Sequence, residues 1–409
     1  MSPVAAGSGP YNATSPYWLD GAAPLAPELE GSVTADVVVV GAGVCGASVA
    51  WALAQAGVQV AWVEARGVSE GASGRNAGFV LQGTCERYSR AVGLMGRERA
   101  RAVHQASRDN HLAMATVIEE LGLECGYMRR GSLQLAGSEQ EEGELLESAA
   151  MLREDGFSAE VRAGEGLDEL YQQAGFRVGV HIADDGELDP ARFVRGVAQA
   201  AVGRGVRLFE RSPVLEIAAP SPGEAYVRTA RGEVRAQLVL VCTNAYAGEI
   251  IPWYADKVDP VRGQMLATAP APPMFSSPVY ADHGYDYWRQ DEAGRVVLGG
   301  WRNLDVAGEK GTAEVLHAGI QERMGAFLER FPGMRGVPIT HRWSGTMGFS
   351  RDGLPIVGAV PGLPGALGAV GFTGHGFGFA WVCGQALVEL SLQGTSEIAD
   401  RFSSRRFVG

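Results

Sequence analysis

Residues 35–46 read Ala-Asp-Val-Val-Val-Val-Gly-Ala-Gly-Val-Cys-Gly, a buried-strand pattern followed by a Gly-x-Gly-x-x-Gly turn. A helix-forming stretch comes next, and a second apolar strand then ends at Glu64. In this arrangement Gly41 permits the tight turn, Gly43 lets a pyrophosphate approach the backbone, and Gly46 lets the helix pack closely on the strand. An acid at the position of Glu64 can accept the ribose hydroxyls of an adenosine. The stretch therefore predicts a Rossmann-type unit that binds a dinucleotide.

The composition limits the partner and the compartment. A chain of 409 residues with a net charge of −12 suits a large folded core and argues against nucleic acid as the main partner. The glycines, glutamines and closing acid of the strand-to-strand run argue against a membrane span. Five scattered cysteines without a C-x-x-C pair predict no disulfide framework, and we expect no metal site. No Lys or Arg precedes Arg66, so we expect no secretory signal and a cytoplasmic location.

The segments that complete the nucleotide-binding unit lie far along the chain. Apolar strands are predicted at 206–209, 214–217 and 237–242, and another at 367–370. An NAD dehydrogenase would place the second half of its unit directly after the first. The separation favours FAD, whose larger body needs contacts from distant segments, over a diffusible nicotinamide.

The pattern divides the chain into an arm and two discontinuous domains. Residues 1–32 are rich in Pro, Gly, Ala and Ser, and predict an irregular arm held to the surface by Tyr11, Tyr17 and Trp18. We expect an α/β fold with a Rossmann-type FAD-binding domain and a second, antiparallel-sheet substrate domain. The FAD-binding domain is predicted to comprise 33–85, 186–250 and 341–395, and the substrate domain 86–185 and 251–340.

Periodicity predicts the main elements of the substrate domain. Apolar residues recur at helical spacing over 97–121, 139–154 and 313–330. Alternating aromatic and polar residues with glycine breaks indicate antiparallel strands at 261–268, 279–281, 285–290 and 295–299.

A second glycine-rich segment, 371–378, follows a strand and opens a helix. Its glycines let a cofactor ring lie against the backbone, and a helix N-terminus there would stabilise the negative charge of a reduced flavin. A turn that only reverses the chain would have the same pattern. His375 within this segment is a candidate catalytic residue, although a capping or core histidine would explain it equally well.

These motifs resemble the D-amino-acid-oxidase superfamily of FAD-dependent oxidoreductases, which includes glycine, sarcosine and γ-glutamylputrescine oxidases. The resemblance covers about residues 33–393, and its carriers are 40–46, Glu64, 71–78, 188–190, 260–264, 352–358 and 371–376. It implies that 71–78 runs past the pyrophosphate towards the flavin, that the backbone of Val214 contacts the adenine, and that 371–376 begins the flavin-contacting helix. The expected cofactor contacts are Gly41, Gly43, Cys45, Gly46, Glu64, Ala65, Arg66, Ser73, Gly74, Arg75, Asn76, Ala77, Gly78, Val214, Thr243, Asn244, Gly345, Asp352, Gly371, Thr373, Gly374, His375 and Gly376.

Three positions depart from the resemblance. Where sarcosine oxidases carry the cysteine that attaches FAD, this chain has Gly345, so we expect non-covalent FAD. Where they carry a lysine for oxygen activation, it has Val297, which argues against fast use of oxygen. Where glycine oxidases carry the arginine that holds the substrate carboxylate, it has Met347, which predicts that glycine and sarcosine are poor substrates.

The resemblance implies an enzyme that removes a hydride from the carbon next to an amine nitrogen of a small amine or amino acid. The products would be an imine and reduced FAD, which oxygen reoxidises. One alternative is an amine dehydrogenase that passes electrons to a partner protein or a quinone, and another is an FAD-binding scaffold without catalysis. The candidate substrate contacts are Tyr246, Arg262, Tyr285, Tyr287, Trp288 and Arg302, and the candidate catalytic residues are His375, Arg302, Tyr246 and Tyr287. Aromatic stripes also pack sheets, so a structural role for these residues stays open.

Overall fold

The computed structural model describes residues 15–408, so the predicted contact of Tyr11 lies outside the described residues. Its strands are β1 (Gly31–Thr34), β2 (Val37–Val40), β3 (Val60–Val63), β4 (Phe79–Val80), β5 (Ser132–Ala136), β6 (Glu160–Ala163), β7 (Val178–Ile182), β8 (Gly186–Glu187), β9 (Arg207–Phe209), β10 (Glu216–Ser221), β11 (Glu224–Arg228), β12 (Gly232–Ala236), β13 (Leu238–Val241), β14 (Val258–Pro270), β15 (Val279–Ala281), β16 (Asp286–Gln290), β17 (Arg295–Gly300), β18 (Ile339–Ser350), β19 (Ile356–Val360) and β20 (Leu363–Val370). Its α-helices are α1 (Val44–Gln55), α2 (Tyr88–Met95), α3 (Arg97–Leu121), α4 (Glu139–Glu154), α5 (Glu169–Gln173), α6 (Pro190–Gly203), α7 (Ala247–Ile250), α8 (Ala318–Leu328), α9 (Gly376–Gln393) and α10 (Glu397–Arg401).

The dinucleotide motif forms the centre of a six-stranded sheet. Its strand order is β19-β20-β13-β2-β3-β9, and β2 pairs in parallel with β3 and β13. The four valines of β2 alternate in direction: Val37 and Val39 pack in one buried cluster, while Val38 and Val40 pack in another. A parallel strand covered on both faces requires such an uninterrupted apolar run.

Helices cover one face of this sheet, and a second sheet covers the other. Helices α1, α3, α6 and α9 pack together over the first face. The four-stranded sheet, with order β1-β12-β11-β10, packs against the second. α1 lies so close to the glycine turn that a Cβ at Gly46 would overlap the carbonyl oxygen of Gly41.

An eight-stranded sheet forms the second domain, with order β18-β14-β17-β16-β15-β5-β7-β6. Its strands pair antiparallel except for the parallel pair of β5 and β15. Two features differ from the sequence-based division. Strands β5, β6 and β7 extend the sheet from the segment 86–185, where only helices are predicted, and β18 pairs in this sheet although the predicted FAD-binding segment begins at 341.

Two element boundaries also differ from the predicted ones. The predicted helix 313–330 starts only at Ala318, because the preceding residues are held in an irregular segment. Arg262, buried beneath that segment, donates to the carbonyl oxygens of Gly308 and Ala313 and pairs with buried Glu309. The strand predicted at 214–217 starts at Glu216, so Val214 lies before it.

The described part of the N-terminal arm is held by aromatic side chains. Trp18 donates from Nε1 to the carbonyl oxygen of Asn76 at 2.8 Å, and Tyr17 donates to the Asp291 carboxylate. The guanidinium of Arg289 lies 4.9 Å from the Trp18 ring centroid. Within residues 15–408, no helix combines the length and apolar character needed to cross a membrane.

A buried amide joins α3 to α9. Asn110, fully buried, donates from Nδ2 to the carbonyl oxygen of Phe377 at 2.8 Å. Its Oδ1 accepts from the backbone N–H groups of Trp381 and Val382 at 3.0 and 3.2 Å. In a regular α-helix, the N–H of Trp381 would donate directly to the carbonyl oxygen of Phe377, four residues earlier. Here the side chain of Asn110 lies between these two groups and bonds to both. The first turns of α9 are therefore fixed by a side chain from α3.

Replacing Asn110 with leucine removes this bridge without a large change in volume. We expect Asn110→Leu to lower the free energy of unfolding by about 1–3 kcal/mol, because buried backbone groups lose their partner. Urea unfolding of the FAD-loaded protein measures the change. The matched variant Asn303→Leu alters an exposed amide and should stay within about 0.5 kcal/mol of the parent. Equal stability of both variants would contradict the assigned role of Asn110.

Candidate active site

A cavity of about 700 Å³ lies between the six-stranded and eight-stranded sheets. One end is formed at the carboxyl ends of β2 and β3 by Gly41 and Glu64. The other end is formed by the start of α9 together with side chains of the eight-stranded sheet. The cavity thus joins the dinucleotide motif to a second set of polar and aromatic groups.

Glu64 organises the nucleotide end of the cavity. Its Oε2 accepts from the backbone N–H of Ala42 at 2.6 Å, and its Oε1 accepts from that of Arg66 at 2.8 Å. Burial raises the pKa of its carboxyl above the usual range, while these two hydrogen bonds act in the opposite direction. Each oxygen has further acceptor capacity, which suits the ribose hydroxyls of an adenosine.

Ser73 completes the N-terminus of α1. The N-cap residue Gly43 offers no side chain, and the Oγ of Ser73 accepts from the backbone N–H of Val44 at 2.9 Å. A Cβ at Gly43 would lie only 2.7 Å from this Oγ. The glycine at this position therefore leaves room for the Ser73 side chain to approach the backbone. Asn76 folds the same segment by donating to the carbonyl oxygens of Ala72 and Ser73.

The start of α9 is open towards the cavity. A Cβ at Gly376 would meet no atom within 4 Å, although Gly376 lines the cavity. The preceding turn is held by Asn244, whose Oδ1 accepts from the N–H of Gly371 at 3.0 Å. Burial lowers the pKa of His375 to about 4, so the imidazole is neutral, and its Nδ1 has no partner among the described residues. This wall offers glycine backbone and a helix N-terminus to a planar ring.

Aromatic side chains surround Arg302 at the far end. Its guanidinium carbon lies 4.4 Å from the ring centroid of Tyr285 and 4.9 Å from that of Phe349. Tyr280 and Tyr287 stack beside them with centroids 5.6 Å apart, and all of these residues line the cavity. Burial raises the pKa of Tyr287 to about 12, so its hydroxyl is neutral. Two rings position the guanidinium, which makes no ion pair within residues 15–408.

The structure brings most of the expected residues to this cavity. The cofactor candidates that line it are Gly41, Gly43, Cys45, Glu64, Ala65, Arg66, Ser73, Asn76, Ala77, Val214, Thr243, Asn244, Thr373, Gly374, His375 and Gly376. The substrate and catalytic candidates that line it are Tyr246, Tyr285, Tyr287 and Arg302, and Met347 lines it as well.

Other candidates lie outside the cavity wall, namely Gly46, Gly74, Arg75, Gly78, Gly345, Asp352, Gly371, Arg262 and Trp288. Asp352 accepts from the guanidinium of Arg406 at 2.6 and 3.0 Å. Trp288 is fully buried in the core of the eight-stranded sheet. Arg262 is committed to Glu309 beneath the irregular segment, so it offers no group to a substrate.

Among the cavity residues that the sequence did not point to are Phe349 and Glu314. Phe349 carries no local signal, because its role depends on β18 lying next to the turn of Arg302. Glu314 forms ion pairs with both Arg66 and Arg75, the latter at 2.9 Å. These pairs connect the domain of the eight-stranded sheet to the nucleotide end of the cavity. Among the described residues, no group of three or more His, Cys, Asp or Glu could hold a metal ion.

Comparisons with known proteins identify the family of the chain. A model of the family "DAO: FAD dependent oxidoreductase" matches residues 36–390. The chain is 28% identical over 417 residues to gamma-glutamylputrescine oxidoreductase of Escherichia coli, covering 96% of this chain and 92% of that protein. It is 26% identical over 373 residues to glycine oxidase of Bacillus licheniformis, covering 87% and 93%.

Solved structures show the same fold. Glycine oxidase from Geobacillus kaustophilus superposes with a TM-score of 0.79 at 21% identity, covering 92% of this chain and 100% of that chain. L-proline dehydrogenase from P. horikoshii gives a TM-score of 0.76 at 21% identity, covering 93% and 98%. The predicted fold class, FAD cofactor and enzyme class are confirmed. Since the family model matches most of its length, the chain belongs to the DAO family of FAD-dependent oxidoreductases.

Proposed function

We propose that this protein oxidises a small amine or amino acid at the carbon beside the nitrogen, with FAD held non-covalently along the cavity. The supporting observation is that one continuous cavity joins the Glu64 end to the pocket of Arg302. The residues of the wall fit the cofactor, since Glu64 suits the adenosine ribose and the bare backbone at Gly376 leaves room for a ring. Bound FAD supplies a two-electron acceptor next to the substrate.

The wall residues determine the protonation state of the substrate. Carbon–nitrogen double-bond formation needs the nitrogen lone pair, so the amine must be a free base when the hydride leaves. His375 and Tyr287 are neutral, and the positive charge of Arg302 disfavours a nearby ammonium. Met347 and Phe349 add apolar surface that excludes water. Positioning and desolvation, rather than a strong base, are the contribution of this wall.

Arg302 is the proposed anchor for an anionic group of the substrate. A guanidinium forms paired, charge-assisted contacts with a carboxylate, whereas the thioether of Met347 cannot. Arg302 lies on the turn after β17, while Met347 lies on β18 facing Gly374, with Sδ 3.7 Å from the position of a Cβ there. A carboxylate of the substrate is therefore assigned to Arg302, and the position of Met347 beside Gly374 holds none.

A dehydrogenase is the second candidate, because the described residues place no lysine in the cavity wall. Val297, at the position that carries the oxygen-activating lysine in sarcosine oxidases, is fully buried among Met265, Trp343 and Ala77. Lys257 instead contacts the Trp253 ring at 4.7 Å. The residues proposed to hold the substrate therefore do not determine which molecule accepts the electrons.

Blocking the space at Gly376 should prevent FAD binding while the fold survives. We expect Gly376→Val to lose most of its FAD, because the added methyl groups enter the cavity and meet no protein atom. The matched control Gly143→Val adds the same side chain to an exposed helical glycine that also has open space around it. The measurement is FAD released into the supernatant on acid precipitation, with folding checked by circular dichroism. Full occupancy in Gly376→Val, or yellow colour that stays in the pellet, would contradict the proposed binding mode.

Removing the guanidinium of Arg302 should lower kcat/KM for substrates that carry a carboxylate much more than for amines that lack one. Loss of a paired charge-assisted contact costs on the order of 2–4 kcal/mol, so Arg302→Met should lower kcat/KM for amino acids roughly 30- to 1000-fold. Matching amines without the carboxylate should change only a few-fold. Arg228→Met, on the four-stranded sheet, serves as the control. Glycine and sarcosine should be poor substrates of the parent protein, and a tenfold advantage of glycine over larger amino acids would contradict the argument from Met347.

With oxygen as acceptor, each substrate molecule oxidised in air should yield one hydrogen peroxide. The measurement compares peroxide formation with reduction of an electron-accepting dye under anaerobic conditions. Dye reduction without peroxide would favour the dehydrogenase. Failure of every amine and amino acid to bleach the flavin anaerobically would contradict both candidates.

A further inference from the structure

A second, smaller cavity of about 80 Å³ adjoins the substrate end of the main cavity. We call it the side chamber; its far wall is formed by the segment 82–88, by α3 and by β5. It shares wall residues with the main cavity, which are Leu81, Cys85, Tyr280, His283, Gly284 and His375. The side chamber thus starts beside His375, and neither Gly41 nor Glu64 belongs to its wall. Its volume accommodates a few water molecules or a polar group of a few heavy atoms.

Two buried polar groups of this chamber have no partner. The Nε2 atoms of Gln82 and His104 make no hydrogen bond within the described residues, although these residues are only 9% and 6% exposed. Both residues are fixed by other contacts: the backbone N–H of Gln82 donates to Asp185 Oδ1 at 2.8 Å, and the His104 ring lies 4.2 Å from that of Phe157. An unpaired buried polar group costs about 1–3 kcal/mol, so two of them in one chamber favour the binding of a polar group between them.

The charges around the chamber select an uncharged ligand. Arg87 pairs with Glu141 at 2.7 Å and lies 3.7 Å from Glu144, so its charge is already balanced. Glu86 is balanced by Arg90 at 2.7 Å. Burial lowers the pKa of His104 to about 4, so its ring is neutral near pH 7. Within the described residues the charged groups of this wall are already paired, so an anion or a cation would be buried there without a counter-charge, whereas a neutral group can exchange its hydrogen bonds to water for hydrogen bonds to the wall.

We propose that the side chamber binds the uncharged polar tail of the amine substrate, a carboxamide or similar amide, through Gln82 and His104. The carbonyl oxygen of an amide accepts from the Nε2 of Gln82, and His104 pairs with its N–H or its oxygen according to the ring tautomer. The inference rests on the proposed amine oxidation, since it assumes that the reacting end lies beside His375. It makes Gln82 and His104 specificity residues that select an amine carrying an amide several bonds away.

Binding of a tail fragment tests the chamber independently of catalysis. Propionamide should raise the melting temperature of the FAD-loaded protein. Gln82→Leu should abolish the propionamide effect, and the exposed-residue control Gln55→Leu should keep it. Because Gln82→Leu removes an unpaired buried amide, its own melting temperature should be no lower than that of the parent. No stabilisation by propionamide, or equal stabilisation of Gln82→Leu, would overturn the proposal.

Substrate pairs provide the second readout. Asparagine and glutamine should exceed their apolar counterparts leucine and methionine in kcat/KM by about tenfold or more, and should also exceed aspartate and glutamate. This preference should fall to near unity in Gln82→Leu, and the exposed-residue control Gln55→Leu should keep it. Oxidation of leucine with no amide preference would overturn the chamber and leave the proposed function intact. Propionamide binding without oxidation of any amine would leave the chamber and overturn the function.

Discussion

The close contact between the glycine turn and α1 is the constraint on which the rest of the structure depends. A Cβ at Gly46 would overlap the Gly41 carbonyl oxygen, and the same oxygen accepts from the indole Nε1 of Trp62 at 2.9 Å. The backbone can therefore turn at the end of β2 and enter the helix without a side chain between them. Ser73 and Glu64 then satisfy the N–H groups that this turn leaves open, at Val44 and Ala42. The nucleotide end of the cavity is thus built largely from backbone, held in place by two side chains.

The nucleotide half could be predicted from the sequence because its signals are local. The valines of β2, the glycine turn and Glu64 lie within one stretch of chain, and the long helix predicted at 97–121 has those bounds in the structure. Strands β5, β6 and β7 were missed because they are short and lie between helices with stronger periodicity. Among them, β5 pairs with β15, which joins residues far apart in the chain, and no local pattern reveals this pairing.

The substrate half could not be predicted from the sequence, because its side-chain contacts join residues that lie far apart in the chain. Arg262 and Arg302 look alike in the sequence, since both belong to aromatic and glycine-rich strand regions. In the fold, the irregular segment brings Glu309 onto Arg262, whereas the contacts of Arg302 within residues 15–408 are with the faces of Tyr285 and Phe349. One arginine is neutralised inside the protein, and the other keeps a positive charge at the cavity. Because the irregular segment covers Arg262, Arg302 is the one of these two arginines that faces the cavity.

The ion pairs of Glu314 connect the two domains at the nucleotide end of the cavity, and their strength depends on dissolved salt. Glu314 stands on the irregular segment between β17 and α8, while Arg66 and Arg75 belong to the domain of the six-stranded sheet. Any outward movement of this segment separates one carboxylate from two guanidinium groups at the same time. The side chains of Arg66 and Glu314 are partly exposed, at 33% and 21%, so dissolved salt weakens the attraction between them. The ion pairs that join the two domains at the nucleotide end therefore weaken as the ionic strength rises.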